Sequence, residues 1–337
     1  MKSLKTLLLL VLIVLSACSS DTLEELEDLL DAEQVDREAI DVSRMGVNAF
    51  GNKPAFGSVC EQYQDVATNL GLRFIRMQIN WNDDIQSSPT ASQDFSFYDE
   101  LVGCIPDGVD ALLVVEGLPS WMSNPSNWID NNPRLTFVNL WFQEVVNRYR
   151  SNNKIVGFQV WNEPNADFNS ENTTLDVLDS PANYVEMLAA GYSISKDLAP
   201  SKRVLNAATT SINQNFTATL DYNRDMILAG AGNFVDVFAI HFYGKQFERV
   251  LNSDGVGDFL RSLGKSIWIT ESGEQGVNEQ LAYVETAWPF LRSEIPQIDR
   301  IYYFQYASNV VAESAFGLRN ISADFPISDL YLFLSNL

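Results

Sequence analysis

The sequence predicts an α/β fold, a single (β/α)8 TIM barrel, and three observations carry the prediction. Eight short apolar or β-branched runs alternate with eight segments of i, i+3, i+4 apolar spacing over about 290 residues, the pattern of repeated βα units feeding a parallel sheet. No G-x-G-x-x-G follows the first run, and Gly46-x-x-x-x-Gly51 is not a phosphate loop, so an open doubly wound sheet is the weaker alternative. Gly, Ser and Pro are spread over the connections and no internal repeat appears, so the 337 residues, 46% hydrophobic, read as one large domain at 44–337 after a leader.

Residues 1–17 have the order of an export signal: Lys2 and Lys5, the nine apolar residues Leu7–Leu15, then Ser16 and Ala17 before Cys18. An apolar run of nine is too short for a bilayer core of about 30 Å. Leu15-Ser16-Ala17-Cys18 resembles a bacterial lipoprotein box, which implies a lipidated Cys18 and a place in the bacterial envelope, anchored by lipid in the outer membrane. Residues 18–43 follow as a tether, with ten acids against Arg37 alone; that charge density keeps a segment solvated.

The strand-like runs are Met45–Phe50, Phe74–Asn80, Ala111–Glu116, Ile155–Trp161, Val204–Ala208, Val235–His241, Ser266–Thr270 and Ile301–Gln305. Between and after them the helical segments are Val59–Leu70, Tyr98–Ile105, Leu135–Tyr149, Ala182–Leu198, Tyr222–Ala229, Val256–Leu263, Glu279–Leu291 and Ser328–Leu334. Cys60 and Cys104 fall on the first two helices, neighbours in a barrel, where export permits a disulfide; two separate buried thiols are the alternative.

A net charge of −22 repels nucleic acid and anionic lipid, which leaves neither as a partner by bulk electrostatics. His241 is the only histidine, which rules out a His-rich metal site; no metal and no cofactor are expected, and the chain is expected to be a monomer.

Barrels of this kind build their sites at the carboxyl ends of the strands. Strand two ends in Arg76, Gln78, Asn80 and Trp81, and strand three in Glu116, with Pro119-Ser120-Trp121 close behind. Strand four gives Trp161, Asn162 and Glu163, strand six His241 and Tyr243, strand seven Glu271, and strand eight Gln305 and Tyr306. Glu163 sits where Pro164 stops a buried strand, and Glu271 ends a strand across the mouth. A strand-end Glu is ordinarily a solvated loop residue. Two such acids facing each other match what glycosidic cleavage needs, one to protonate the leaving oxygen and one to trap an oxocarbenium-like centre. Surrounding aromatic residues suit a carbohydrate, whose C–H faces stack on rings. Several of these residues also admit plainer readings: His241 as a satisfied core histidine, Arg76 paired with Asp83, Glu116 as a sugar contact or in a salt bridge with Arg76, Trp81 and Trp121 as sugar platforms or barrel packing. Trp128, Trp141 and Trp288 read as core.

Trp161-Asn162-Glu163-Pro164-Asn165, Ile240-His241-Phe242-Tyr243-Gly244 and Trp268-Ile269-Thr270-Glu271-Ser272-Gly273 resemble the strand four, six and seven motifs of the retaining glycoside hydrolase clan built on a (β/α)8 barrel. Family 5 cellulase-like enzymes and family 39 are nearest, the latter for Pro119-Ser120-Trp121 as well; Phe316-Gly317-Leu318 to Pro326 also resembles those barrels. The resemblance runs from Gly46 to Leu337 and implies Glu163 as general acid/base and Glu271 as nucleophile, with carboxyl groups about 5–5.5 Å apart. It further implies that Asn162 holds a sugar hydroxyl, Tyr243 bonds the nucleophile, His241 lines the site and Arg76 supports the charge on Glu271. The clan's strand-eight Trp is not evident, so Gln305 or Tyr306 is expected to stand in. The function expected is a retaining β-glycoside hydrolase; a non-catalytic carbohydrate-binding barrel and a transglycosylase are the alternatives.

Overall fold

The computed structural model describes residues 36–51, 58–212, 219–244, 251, 255–308, 315–320 and 327–337. The signal segment, Cys18, most of the acidic stretch and Pro326 lie outside them. Eight parallel strands close into a barrel in sequence order: β1 (Met45–Asn48), β2 (Phe74–Asn80), β3 (Asp110–Glu116), β4 (Ile155–Val160), β5 (Arg203–Asn206), β6 (Val237–His241), β7 (Ser266–Ser272) and β8 (Ile298–Tyr303). The seam is β8 on β1, with Gly46 opposite Tyr302.

The barrel interior is layered. Leu112, Leu205, Val237, Ala239, Trp268 and Tyr302 form an apolar plug at the amino-terminal end. Gly46 makes room for it: a Cβ there would stand 2.5 Å from the Tyr302 ring. Above the plug, toward the carboxyl ends, the inward positions turn polar, with Asn48, Arg76, Gln159, Asn206 and His241 all buried. A larger apolar shell fills the space between strands and helices.

The outer helices are, in chain order, α1 (Val59–Thr68), α2 (Ser96–Gly103), α3 (Pro133–Phe137), α4 (Gln143–Tyr149), α5 (Ser170–Thr174), α6 (Pro181–Leu198), α7 (Thr219–Leu228), α8 (Val256–Ser262), α9 (Gln280–Glu294) and α10 (Asp329–Leu334). Their starts follow local chemistry. Ser58 and Glu61 form a reciprocal capping box on α1, and Asn132 and Ser180 cap α3 and α6 with Pro at the first turn of each. A π turn at Val138–Phe142 joins α3 to α4, so the helix read as Leu135–Tyr149 is one run with a bulge. Trp141 sits in that bulge, stacked on Trp81 and Phe95. Cys60 in α1 and Cys104 just past α2 are bonded, their Cα atoms 4.8 Å apart.

Strand eight departs from the sequence reading. It starts at Ile298, three residues before Ile301, and ends at Tyr303. Arg300 lies before the run read from the sequence, and its guanidinium is 3.4 Å from the Phe74 ring centroid and 4.2 Å from that of Trp268, which lets a cation sit within a barrel strand. Gln305 and Tyr306 therefore fall beyond the strand. Residues there fold back through a short parallel pair, β9 (Ala307–Ser308) with β10 (Arg319–Asn320).

Candidate active site

Arg76 is the hub of the polar layer. Fully buried on β2, it donates from Nε to Gln159 (3.0 Å), from Nη1 to Asn48 (2.7 Å) and Glu271 (2.6 Å), and from Nη2 to Asn162 (2.7 Å). The pairing with Asp83 is not formed, since Asp83 accepts from Ser120 instead, and no ion pair joins Arg76 to Glu116 among the described residues. The guanidinium fork fits this task because it orients several acceptors at once.

Glu271, at the end of β7, takes Arg76 on Oε1 and the Tyr243 hydroxyl on Oε2 at 2.8 Å. His241 Nε2 lies 3.5 Å from Oε1. Burial pushes the Glu271 carboxyl up, but the neighbouring His241, Arg76 and Tyr243 outweigh it and hold it below the ordinary carboxylate range. Burial, the Glu271 charge and its hydrogen bond drive the Tyr243 phenol well above its usual value, so it stays a donor.

Glu163 is presented by an irregular turn. β4 ends at Val160, and Trp161 (φ 75°) and Glu163 (φ 45°) both adopt left-handed backbone. Such conformations cost about 1–3 kcal/mol each and persist only where the surroundings over-determine them. Asn172 on α5 does that: it accepts from Trp161 Nε1 (2.8 Å) and donates to the carbonyls of Glu163 (2.8 Å) and Ala166 (2.9 Å). The Glu163 amide is held by the Ala208 carbonyl at 2.9 Å. The turn aims the Glu163 carboxylate at His241, whose Nδ1 is 3.0 Å from Oε1. Ligand-type atoms of Glu163, His241 and Glu271 lie within 4.8 Å of one another, so the two carboxylates face each other across the imidazole. That trio has donors a cation could use, but Arg76 already fills the charge-compensating position on Glu271.

A cleft of about 530 Å3 opens beside Glu163, lined by Gln78, Asn80, Trp81, Glu116, Asn162, Phe168 and Glu171 among others. Burial pushes the Glu116 carboxyl up to about 8 despite the pull of Arg76, with Glu271, Glu171 and Glu163 adding to the rise. Glu171 is also raised, by burial, although it accepts from the Leu118 amide at 3.1 Å.

Other expected residues fall elsewhere. Trp81 borders the cleft but is fully buried, its face on Trp141 and its edge region against Trp121, so it is wall and not an open sugar platform. Trp121 is half-buried, with Nε1 tied to the Gln86 carbonyl at 2.9 Å. Tyr306 does not stand in for a strand-eight aromatic at the mouth. Its hydroxyl donates to Asp65 on α1 (2.7 Å), an acid shared with Tyr331 of α10, because Tyr306 turns outward past the strand end. Gln305 is buried, its amide and carbonyl engaged with residues 316 and 318. The aromatic beside the site is Phe304, the residue after β8, 6.0 Å from the Tyr243 ring and 5.9 Å from Phe316.

Sequence reasoning missed Asn48, Gln159 and Asn172, each a polar residue placed under or behind the carboxylates. Gln159 was visible as the one polar side chain inside Ile155–Val160. It also missed Glu171 and Phe168, the latter standing 71% exposed at the cleft's lip.

A parallel barrel holding two carboxylates at its carboxyl-terminal mouth, one clamped by a guanidinium and the other bonded to a histidine, defines a glycoside hydrolase catalytic core. The chain belongs to the glycosyl hydrolase catalytic core family, whose model matches residues 121–321, more than half of its length. Among solved structures it is similar to a family 39 glycoside hydrolase from the gut symbiont Bacteroides cellulosilyticus WH2 (18% identity over 91% of this chain and 64% of that one, TM-score 0.61). It is also similar to a family 39 β-xylosidase from Caulobacter crescentus (17%, 90% and 72%, TM-score 0.60) and to an exo-β-1,4-mannosidase from Opitutaceae bacterium strain TAV5 (14%, 90% and 60%, TM-score 0.61). At these identities the likeness is one of fold, and the chain spans less than two thirds of the first structure's length. No curated protein sequence matches the chain.

Proposed function

We propose that the chain is a retaining β-glycoside hydrolase in which Glu271 is the nucleophile and Glu163 the general acid/base. The observation that carries this reading is the approach of the two carboxylates, with atoms within 4.8 Å of one another. Retaining enzymes hold the pair about 5–5.5 Å apart, whereas inverting enzymes need about 6.5–9.5 Å for a water between them. Glu271 attacks the anomeric carbon as the bond to the leaving oxygen breaks, and the proton of Glu163 passes to that oxygen. Arg76 and Tyr243 hold Glu271 ionised and aimed until it forms the glycosyl ester. Glu163, now a carboxylate, takes a proton from water, whose oxygen attacks the same carbon and frees Glu271. Asn162, with its Oδ1 fixed by Arg76, presents its amide N–H groups to a sugar hydroxyl. The similar structures include a β-xylosidase and an exo-β-1,4-mannosidase, which supports a β-linked substrate.

The test is Glu271→Ala on a panel of aryl β-glycosides: turnover should vanish and return with azide as a substitute nucleophile. Full activity in that variant would sink the assignment. Glu163→Ala should cost natural substrates about 10²–10⁴-fold and activated aryl glycosides far less, since these need little protonation.

The order of Lys2, Lys5, the apolar run and the Cys18 box supports a further proposal, that the chain is lipid-anchored in the bacterial envelope. Cys18→Ala should move it from the membrane to the soluble fraction; unchanged membrane association refutes the anchor.

A further inference from the structure

Resting on the hydrolase reading, we propose that the cleft beside Glu163 takes an uncharged sugar unit and turns away uronate and sulfated glycans, with Glu116 a hydroxyl-binding group of that subsite. Two observations meet here. The first concerns charge: among the described residues, the lining includes Glu116, Glu163 and Glu171 and no Lys, Arg or His. Among the described residues, the cation bonded to the cleft's Asn162 is Arg76, which is fully buried with Nε, Nη1 and Nη2 all committed, so it offers no guanidinium face to a sugar carboxylate or sulfate. The second concerns unused hydrogen-bonding capacity. The side chains of Gln78, Asn80 and Glu116 make no hydrogen bond to another described residue, yet all three line the cleft. Asn80 and Glu116 are register partners on β2 and β3, and Gln78 is one inward position below Asn80, so the three stand on adjoining strands. Asn162 adds its amide N–H groups from β4's end.

A partly buried patch of amide groups plus a carboxyl offers both donors and acceptors, which is what vicinal hydroxyls require. Burial keeps the Glu116 proton on below about pH 8, against the pull of Arg76 and aided by Glu163, Glu171 and Glu271. In that form Glu116 donates one hydrogen bond and accepts another. An anionic sugar meets the opposite situation. It would have to bury a charge with no partner, which weakens binding by about a hundredfold.

The experiment reads binding and cleavage separately. Matched neutral, uronate and 6-sulfated β-linked oligosaccharides are titrated at pH 6 into the full chain carrying Glu271→Gln, followed by intrinsic Trp fluorescence, and the same panel is given to the wild type for product analysis. The expected result is measurable affinity for a neutral member with anionic counterparts at least about a hundredfold weaker. Glu116→Leu should weaken neutral binding at least about tenfold, and Glu116→Gln should recover part of that loss. Anionic members binding as tightly as neutral ones, no neutral member binding, or unchanged binding in Glu116→Leu would each overturn the proposal. Neutral binding without cleavage by the wild type would leave this inference standing and remove the hydrolase reading instead.

Discussion

Replacing Arg76 by Met removes a buried cation that ties four elements of the barrel mouth together. Breaking a buried ion pair from one side costs about 3–5 kcal/mol, because the remaining charge has neither water nor partner. Here the acceptors left behind are Glu271, Asn48, Gln159 and Asn162. For a domain of this size, unfolding entropy near 2.1 cal/mol/K per residue turns that loss into a Tm fall of about 6 °C. The functional effect is separable. Unit charges about 4 Å apart at an effective dielectric near 20 interact by about 4 kcal/mol, equivalent to about three pH units of carboxylate affinity for a proton. His241 and Tyr243 remain, so the acid limb of kcat/KM on an aryl β-glycoside should move up by at least about one unit. The sign follows from Glu271, which is held below the ordinary range in the folded protein. Its ionised form stabilises the fold above the unfolded value, and that contribution is lost as pH falls through the folded one. The stability gap between wild type and Arg76→Met should therefore be widest near neutrality and narrow on acidification. Arg76→Lys keeps a cation without the fork, so it should lose stability while its acid limb stays near that of the wild type. An acid limb unmoved in Arg76→Met alongside a lowered Tm would refute the electrostatic role and leave Arg76 as packing.

Asn172→Ala strips the clamp from the Glu163 turn, leaves the Trp161 indole unpaired and takes the side-chain hydrogen bond from each of the Glu163 and Ala166 carbonyls. Stability should fall by about 3 kcal/mol and kcat at least about tenfold, read by denaturant unfolding and steady-state kinetics; unchanged kcat would show that the turn holds itself. Cys104→Ser opens a loop closed over a separation of 44 residues, so the variant should lose up to about 4 kcal/mol by chain entropy with kinetics preserved. A stability equal to that of the wild type would refute a structural bond between α1 and α2.

The barrel was legible because each strand announces itself as an apolar run of the right length, and the boundaries of the first seven strands agreed to within two residues. Strand eight was the exception, since Arg300 is neutral to the pattern only once Phe74 and Trp268 supply ring faces from other strands. That misplacement carried Gln305 and Tyr306 into the site on paper, while the chain puts Phe304 there. Trp81 is closed off as a platform for a related reason. Residue type says that an indole can stack on a sugar, but the bulge that carries Trp141 decides which face is already covered.

By itself the sequence determined the repeated βα pattern, the parity of inward positions and the strand-end places of Glu163, His241, Tyr243 and Glu271, because these follow from local periodicity and from Pro and Gly stops. Only the closed barrel decided the distances between strands four, six and seven, the commitment of Arg76 to Glu271 over Asp83 or Glu116, and the hidden support from Asn48, Gln159 and Asn172. The reason is physical. A side chain's charge state and hydrogen bonds depend on what surrounds it in space, and strands far apart in sequence become neighbours only when the sheet closes on itself.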